Sequence, residues 1–281
     1  MPSESTPPPS PSSPAPHQQK VEPLPLPQPL PTKSAPPRET ETSLPPPKDP
    51  KPLRTEREQQ EQSTRTRPIP TSGLVAYYPF NGNAHDESGN GHHGEVVGAS
   101  LTTDRNGKPN SAYSFNGVNN QINVPDGNGR FNVGDKGLTI SLWIKFTGEP
   151  SLTVSFVTKS SYTVNTGYTF PYITRADKFG LITHTKPRGW DNTRSYSYKQ
   201  IQNLFEWHFY AGTFDGTYRR VYIDEELLSH DYQAGNIISP NSNNLTIGNQ
   251  PGYKECAKAI IDDIRIYNRA LSKEELETLL R

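Results

Sequence analysis

The chain has 281 residues and 29 prolines, and its 29 basic residues balance 29 acidic ones to a formal net charge of zero. Neutrality removes the bulk attraction toward nucleic acid or anionic lipid, and no apolar run reaches the roughly 18 residues that direct insertion into a membrane requires. The lone cysteine, Cys256, excludes an intrachain disulfide and reads as a small packed or half-exposed thiol.

Residues 1–72 come first. Of the 29 prolines, 21 precede Thr71, and residues 1–70 contain no Phe, Tyr, Trp or Gly. Such a segment has too little apolar surface to offset its ordering entropy, so a disordered proline-rich stalk is expected. The run from Pro23 to Pro31 favours extended polyproline II, and Pro11-Ser-Ser-Pro14 has the form of an SH3-type ligand. The opening Met1–Ser5 lacks the basic start and apolar core of a secretory leader.

Residues 73–281 carry every aromatic side chain: 14 Tyr, 10 Phe and 3 Trp. Short β-type runs follow one another: 74–80, 95–97, 111–115, 121–124, 138–146, 154–157, 168–173, 179–183, 207–214, 220–223, 244–247 and 259–267. In Leu138–Phe146, the residues Leu138, Ile140, Leu142, Ile144 and Phe146 share one face. Asn-Gly pairs at Asn81, Asn90, Asn106, Asn116 and Asn128, with Asp-Gly at Asp126 and Asp215, supply the turns between them. This pattern predicts two packed antiparallel sheets and no α/β alternation. One helix is expected at the end, where Ser272 and Glu275 form a capping box ahead of Leu276, Leu279 and Leu280. Trp143 and Trp207 fall inside strand runs and are expected to pack there. Asn244-Leu-Thr246 is a glycosylation sequon.

Carboxylates are next. Asp224-Glu-Glu226 sits at an expected hairpin end, and strict alternation sends Asp262 and Asp263 to opposite sheet faces. Neither makes the strand-borne pair that a retaining glycosidase needs. No phosphate loop and no Gly-x-Ser-x-Gly elbow occurs. Asn81–Gly91 is a polar loop of calcium-binding composition, although not an EF-hand. His85, within it, and His92 and His93, just after it, have no standard zinc spacing. The segment Lys186–Tyr198 reads as a long polar loop. Its Trp190, Tyr196 and Tyr198 offer rings for sugar C–H faces, with Arg188 and Asp191 to bond hydroxyls; protein hot spots use the same residue types.

Five segments in order resemble one family. Gly73–Asn81 with Asp86–Gly94, Tyr113–Val118, Leu138–Lys145, Glu206–Gly216 and Ile261–Leu271 are similar to blocks of the concanavalin A-like lectin/glucanase superfamily, laminin G-like type. Departures are Asp224-Glu-Glu-Leu, where the family has Asp-Gly, and the unmatched stretch 150–203. The resemblance implies an all-β two-sheet antiparallel jelly-roll sandwich with a short C-terminal helix. It also implies an extracellular or cell-surface setting, a glycan or glycoprotein partner and a structural calcium ion. First and last strands of such a fold neighbour each other, which would gather Asn81, Asp86, Asn90 and Asp262 around the ion. The expected function is a non-catalytic, lectin-like binding module on a stalk. A protein-binding adhesion or assembly domain is the second reading, and a glycoside hydrolase the third.

Overall fold

The computed structural model describes residues 67–133, 137–149, 153–161, 166–174, 178–186, 193–197, 203–232, 237–250 and 256–281. The expectations for the proline-rich segment and for Arg188, Trp190, Asp191 and Tyr198 lie outside these residues.

Sixteen strands are present among the described residues. In chain order they are β1 (Leu74–Tyr78), β2 (Glu95–Val97), β3 (Ser100–Thr102), β4 (Ala112–Asn116), β5 (Gln121–Val124), β6 (Leu138–Phe146), β7 (Thr153–Ser161) and β8 (Thr166–Thr174). They continue with β9 (Lys178–Lys186), β10 (Thr193–Ser197), β11 (His208–Phe214), β12 (Tyr218–Ile223), β13 (Glu226–Tyr232), β14 (Ile237–Ile238), β15 (Leu245–Ile247) and β16 (Lys258–Tyr267). The first sheet runs β13-β12-β11-β6-β16-β4-β3, with β1 also paired to β16; the second runs β10-β9-β8-β7-β15-β5-β2, with β14 on β9. All ladders between named strands are antiparallel.

The alternation read in β6 is the reason the sheets stack. Leu138, Ile140, Leu142, Ile144 and Phe146 are all buried in the core between the sheets. Each such side chain contributes roughly 1.5–3 kcal/mol by leaving water. Phe156, Phe170, Phe179 and Leu181 meet them from the second sheet. The fit is close: a Cβ added to Gly212 on β11 would lie 2.7 Å from the Phe170 ring of β8.

The other face of the first sheet is covered in part by the chain's end. Helix α1 (Lys273–Glu277) starts at Ser272, whose hydroxyl and the Glu275 side chain form the expected capping box. The helix and the 3-10 turn Thr278–Leu280 set Leu276 and Leu279 beside Phe209, Tyr222, Tyr267 and Trp143. Trp143 thus packs on a sheet face, as its strand position predicts.

First and last strands do adjoin. Leu74 pairs with Tyr267 and Tyr78 with Ile264. Beyond the ladder, Asn268 N–H donates to the Gly73 carbonyl at 2.9 Å, and Arg269 Nε donates to the Ser72 carbonyl at 2.8 Å.

Two sequence expectations need correction. The stretch 186–198 is not one loop: β9 extends to Lys186, and β10 pairs with it through Tyr196↔Gly180, so Tyr196 stands on a strand. Asp262 and Asp263 do not point to opposite faces. The β16–β6 register shifts between Asp262 and Arg265, and Asp263 takes a left-handed φ of 51°. This bulge inserts one residue and turns both carboxylates to the outer face, toward one guanidinium.

Candidate functional site

The loops between β1 and β2 and after β5 meet at one rim of the sandwich. Each is folded around a buried aspartate. Asp86 Oδ1 accepts the Tyr77 and Ser88 amides, both at 2.9 Å. Its Oδ2 accepts the His92 amide and the Ser88 hydroxyl, again at 2.9 Å. Burial opposes ionisation of this carboxyl, but the three backbone N–H groups and the hydroxyl outweigh it and hold the group below the usual carboxylate range. The fixed loop places Asn90 so that its amide donates to the Leu74 and Val75 carbonyls at 3.1 and 2.9 Å. His92 packs its ring 4.8 Å from that of Phe131, and burial lowers its pKa.

Asp126 organises the second loop. Its Oδ1 accepts the Arg130 amide at 2.7 Å, and its own N–H donates to Asn244 Oδ1 at 3.1 Å. Its Oδ2 lies 2.8 Å from the ammonium of Lys159, whose side chain is fully buried. The same ammonium donates to the Asn241 carbonyl and amide oxygens at 3.0 and 3.1 Å, and to the Asn243 carbonyl. One internal cation therefore joins the 125–131 loop, the 240–244 segment and β7.

Between the loops lies a cleft of about 450 Å³, lined by Asn90, Gly91, His92, Asp126, Asn128 and Arg130 among others. Arg130 closes one side by donating to the Asn90 carbonyl at 3.2 Å. Arg130, Asn128 and Gly127 are exposed at the mouth. The walls set amide, guanidinium and backbone groups beside the apolar surface of Pro125 and the His92 ring, a mixture that can meet both the hydroxyls and the C–H groups of a ligand. Nothing in the walls pairs a nucleophile with a base.

The four residues expected to share calcium each have protein partners instead. Asp86 is occupied as described, and Asn90 uses its amide as a donor. Asn81 Oδ1 accepts the Lys108 ammonium at 2.5 Å. Asp262 accepts Arg105 Nη1 at 2.8 Å and the Asp263 amide at 2.8 Å. Calcium takes six to eight oxygens; the side-chain oxygens of Asn81, Asp86 and Asp262 here accept protein hydrogen bonds, partners that the ion would have to displace. Among the described residues, no group of three or more His, Cys, Asp or Glu side chains could hold a metal.

The acidic pair on β16 is an ion cluster. Arg105 Nη1 reaches both Asp262 and Asp263, at 2.8 and 2.6 Å. Its guanidinium carbon lies 4.9 Å from the Trp143 ring centre, and Tyr77 donates its hydroxyl to Asp263 at 2.9 Å. Burial and the neighbouring Asp263 charge push the Asp262 carboxyl up to about 7, against the pull of Arg105. Two carboxylates bound to one nitrogen leave no room between them for a glycosidic oxygen and an attacking group.

Sequence reasoning identified Asp86 and Asn90 but read Asp126-Gly127 and Asn128-Gly129 only as turns, and passed over Arg130 and Lys159. The usable signal was an Asp-Gly-Asn-Gly-Arg run following a strand. Asp224 does sit at the hairpin end expected of it, accepting the Phe209 amide at 3.0 Å. Cys256 is half-buried, with its thiol 3.0 Å from the Val118 carbonyl.

Comparison with known proteins bears on the fold. A family model described as the concanavalin A-like lectin/glucanases superfamily matches residues 116–277. Domain 4 of AbnA, a GH43 extracellular arabinanase from Geobacillus stearothermophilus solved with arabinotriose, is 21% identical with a TM-score of 0.53, over 74% of this chain and 98% of that one. The binding domain of Paraclostridial Mosquitocidal Protein 1 is 18% identical with a TM-score of 0.60, over 75% of this chain and 52% of that one. Botulinum neurotoxin type C, whose cell entry depends on two ganglioside molecules, is 14% identical with a TM-score of 0.57, over 75% and 51%. The chain thus spans about half the length of the two toxin chains, and these likenesses are of fold. No curated protein sequence matches the chain.

Proposed function

The chain belongs to the concanavalin A-like lectin/glucanase superfamily, and from that premise we propose that it is a non-catalytic binding module for glycans, with the rim cleft as its site. The observation that carries the reading is the cleft itself: a hollow lined by polar groups whose two walls are each held by a buried aspartate, Asp86 through four hydrogen bonds and Asp126 through backbone amides and the Lys159 ion pair. A preformed site avoids the ordering cost that weakens sugar binding. Asn128, Arg130 and the backbone around Gly91 and Gly127 would bond the ligand's hydroxyls. The engaged state of Asp262 and Asp263 supports binding without chemistry. Arabinotriose in the arabinanase domain and gangliosides with the neurotoxin support a saccharide as the ligand class. The setting proposed is extracellular, as the arabinanase that carries the similar domain is.

A glycan array followed by calorimetry on the hits tests the reading. Binding is expected, and the double variant Asn128→Ala with Arg130→Ala should weaken it about tenfold or more. Absence of binding to every glycan overturns the reading, and so does turnover of a bound oligosaccharide.

A further inference from the structure

A second surface has ligand-binding chemistry and lies apart from the cleft, on the outer face of the β12–β13 hairpin. Tyr218 stands directly opposite Tyr232, and Arg220 opposite His230. Alternation puts these four side chains on one face. The two tyrosine rings meet edge to face, with centroids 5.5 Å apart, and the His230 ring lies 4.5 Å from Tyr218. Arg220 holds its guanidinium carbon 5.3 Å from the Tyr218 ring centre. Tyr232 is 67% exposed.

The polar partners of this face are fixed by the Asp215-Gly216 turn. Asp215 Oδ1 accepts the Thr217 and Tyr218 amides at 2.8 and 2.6 Å. Its Oδ2 accepts Arg220 Nη1 at 2.7 Å. Burial opposes ionisation of Asp215, but these bonds prevail and keep its carboxyl below the usual range. The face therefore presents an exposed ring beside a rigid donor–acceptor pair.

A ring face carries negative charge density and attracts polarised C–H groups, while adjacent charged donors and acceptors suit hydroxyls. A sugar ring offers both kinds of surface at that size. Two tyrosines, at about 150–250 Å² each, fall short of the roughly 800 Å² per partner of a stable protein interface. Asp215 offsets the charge of Arg220, which disfavours a polyanion.

We propose that Tyr218, Arg220, His230, Tyr232 and Asp215 form a second saccharide contact, in which a neutral sugar ring lies on Tyr232 and Arg220 and Asp215 bond its hydroxyls. The inference shares the glycan reading above but not its site. One domain with two contacts would grip neighbouring residues of a polysaccharide, or two chains, with the gain that linked sites give.

The test uses the full chain on an array of neutral oligosaccharides, arabinotriose among them, with sialylated and sulfated glycans alongside. Wild type, the cleft variant Asn128→Ala/Arg130→Ala, Tyr232→Ala and Tyr232→Phe are compared. Tyr232 is mostly exposed, so both of its substitutions should leave the melting curve in place. The expected result is a loss of about tenfold or more on neutral glycans in Tyr232→Ala. Tyr232→Phe, which keeps the ring, should retain binding, and the cleft variant should keep a residual signal that depends on Tyr232. Unchanged binding by Tyr232→Ala overturns the second contact while the cleft reading stands. Binding confined to sialylated or sulfated glycans overturns it as well. A wild-type chain that binds no glycan overturns both.

Discussion

Lys159 Nζ lies 2.8 Å from Asp126 Oδ2, with both side chains sealed from solvent. The ammonium is surrounded by carboxylate, amide and carbonyl oxygens drawn from two loop segments. It carries one positive charge against one negative and leaves the site neutral. Of the two loops flanking the cleft, the one after β5 is tied to the body of the domain by this pair.

Replacing Lys159 with Met keeps the apolar stem and removes the charge. An uncompensated Asp126 carboxylate then remains buried, a loss of about 3–5 kcal/mol. For a domain of this size that lowers the melting temperature by roughly 6–20 °C. Calorimetry on wild type and variant decides; an unchanged melt contradicts the assigned role.

Asp86→Ala strips four donors of their acceptor, including the amides of Tyr77 and His92. Leaving buried donors unsatisfied costs on the order of 3 kcal/mol. Because those donors fill the carboxylate's lone pairs, wild type should melt at the same temperature in millimolar calcium and in chelator. A calcium-dependent rise that Asp86→Ala abolishes would instead establish the ion site that the loop's composition suggested.

The Asp262 carboxyl titrates near 7 in the folded chain, against about 3.9 when unfolded. Between these values the folded state holds the extra proton. Stability is therefore fully favoured below about pH 4 with respect to this group, and declines as pH rises through 7. Asp262→Asn removes that slope. Melting curves from pH 4.5 to 8 should show wild type losing on the order of 3 kcal/mol across the window and the variant staying flatter. Parallel pH profiles for both would sink the assignment.

Gly212→Ala drives a methyl group toward the Phe170 ring at the sheet interface. Overpacking of this kind costs about 1–3 kcal/mol. Denaturant unfolding should show a lower midpoint with an unchanged slope; a neutral result would mean that the interface has slack.

Much of the fold was legible because its strands alternate. β2, β5 and β6 coincide with the runs read from the sequence, and Ser272–Glu275 marked its helix. β13 was not legible: Glu226–Tyr232 lies at the end of its sheet and is half exposed, so no apolar rhythm sets it off from a loop. The bulge at Asp263 was hidden for a related reason. Alternation describes a regular ladder, and one inserted residue reverses the face of its neighbour without any compositional sign. Within the site, Asp86 showed through its loop composition. Lys159 did not, since a lysine inside a β run reads as a solvent-facing residue until its oxygen partners arrive from segments 33 residues before it and 82 and 84 after it.

The pairing of β1 with β16 has a mechanical corollary. The two strands are antiparallel and are joined at one end, where Gly73 meets Asn268 and Leu74 meets Tyr267. Tension drawing Ser72 away from Arg269 pulls across that end, not along it. The ladder then opens like a zipper, rung after rung from Leu74–Tyr267 inward to Tyr78–Ile264, and yields at a lower force than strands loaded in shear.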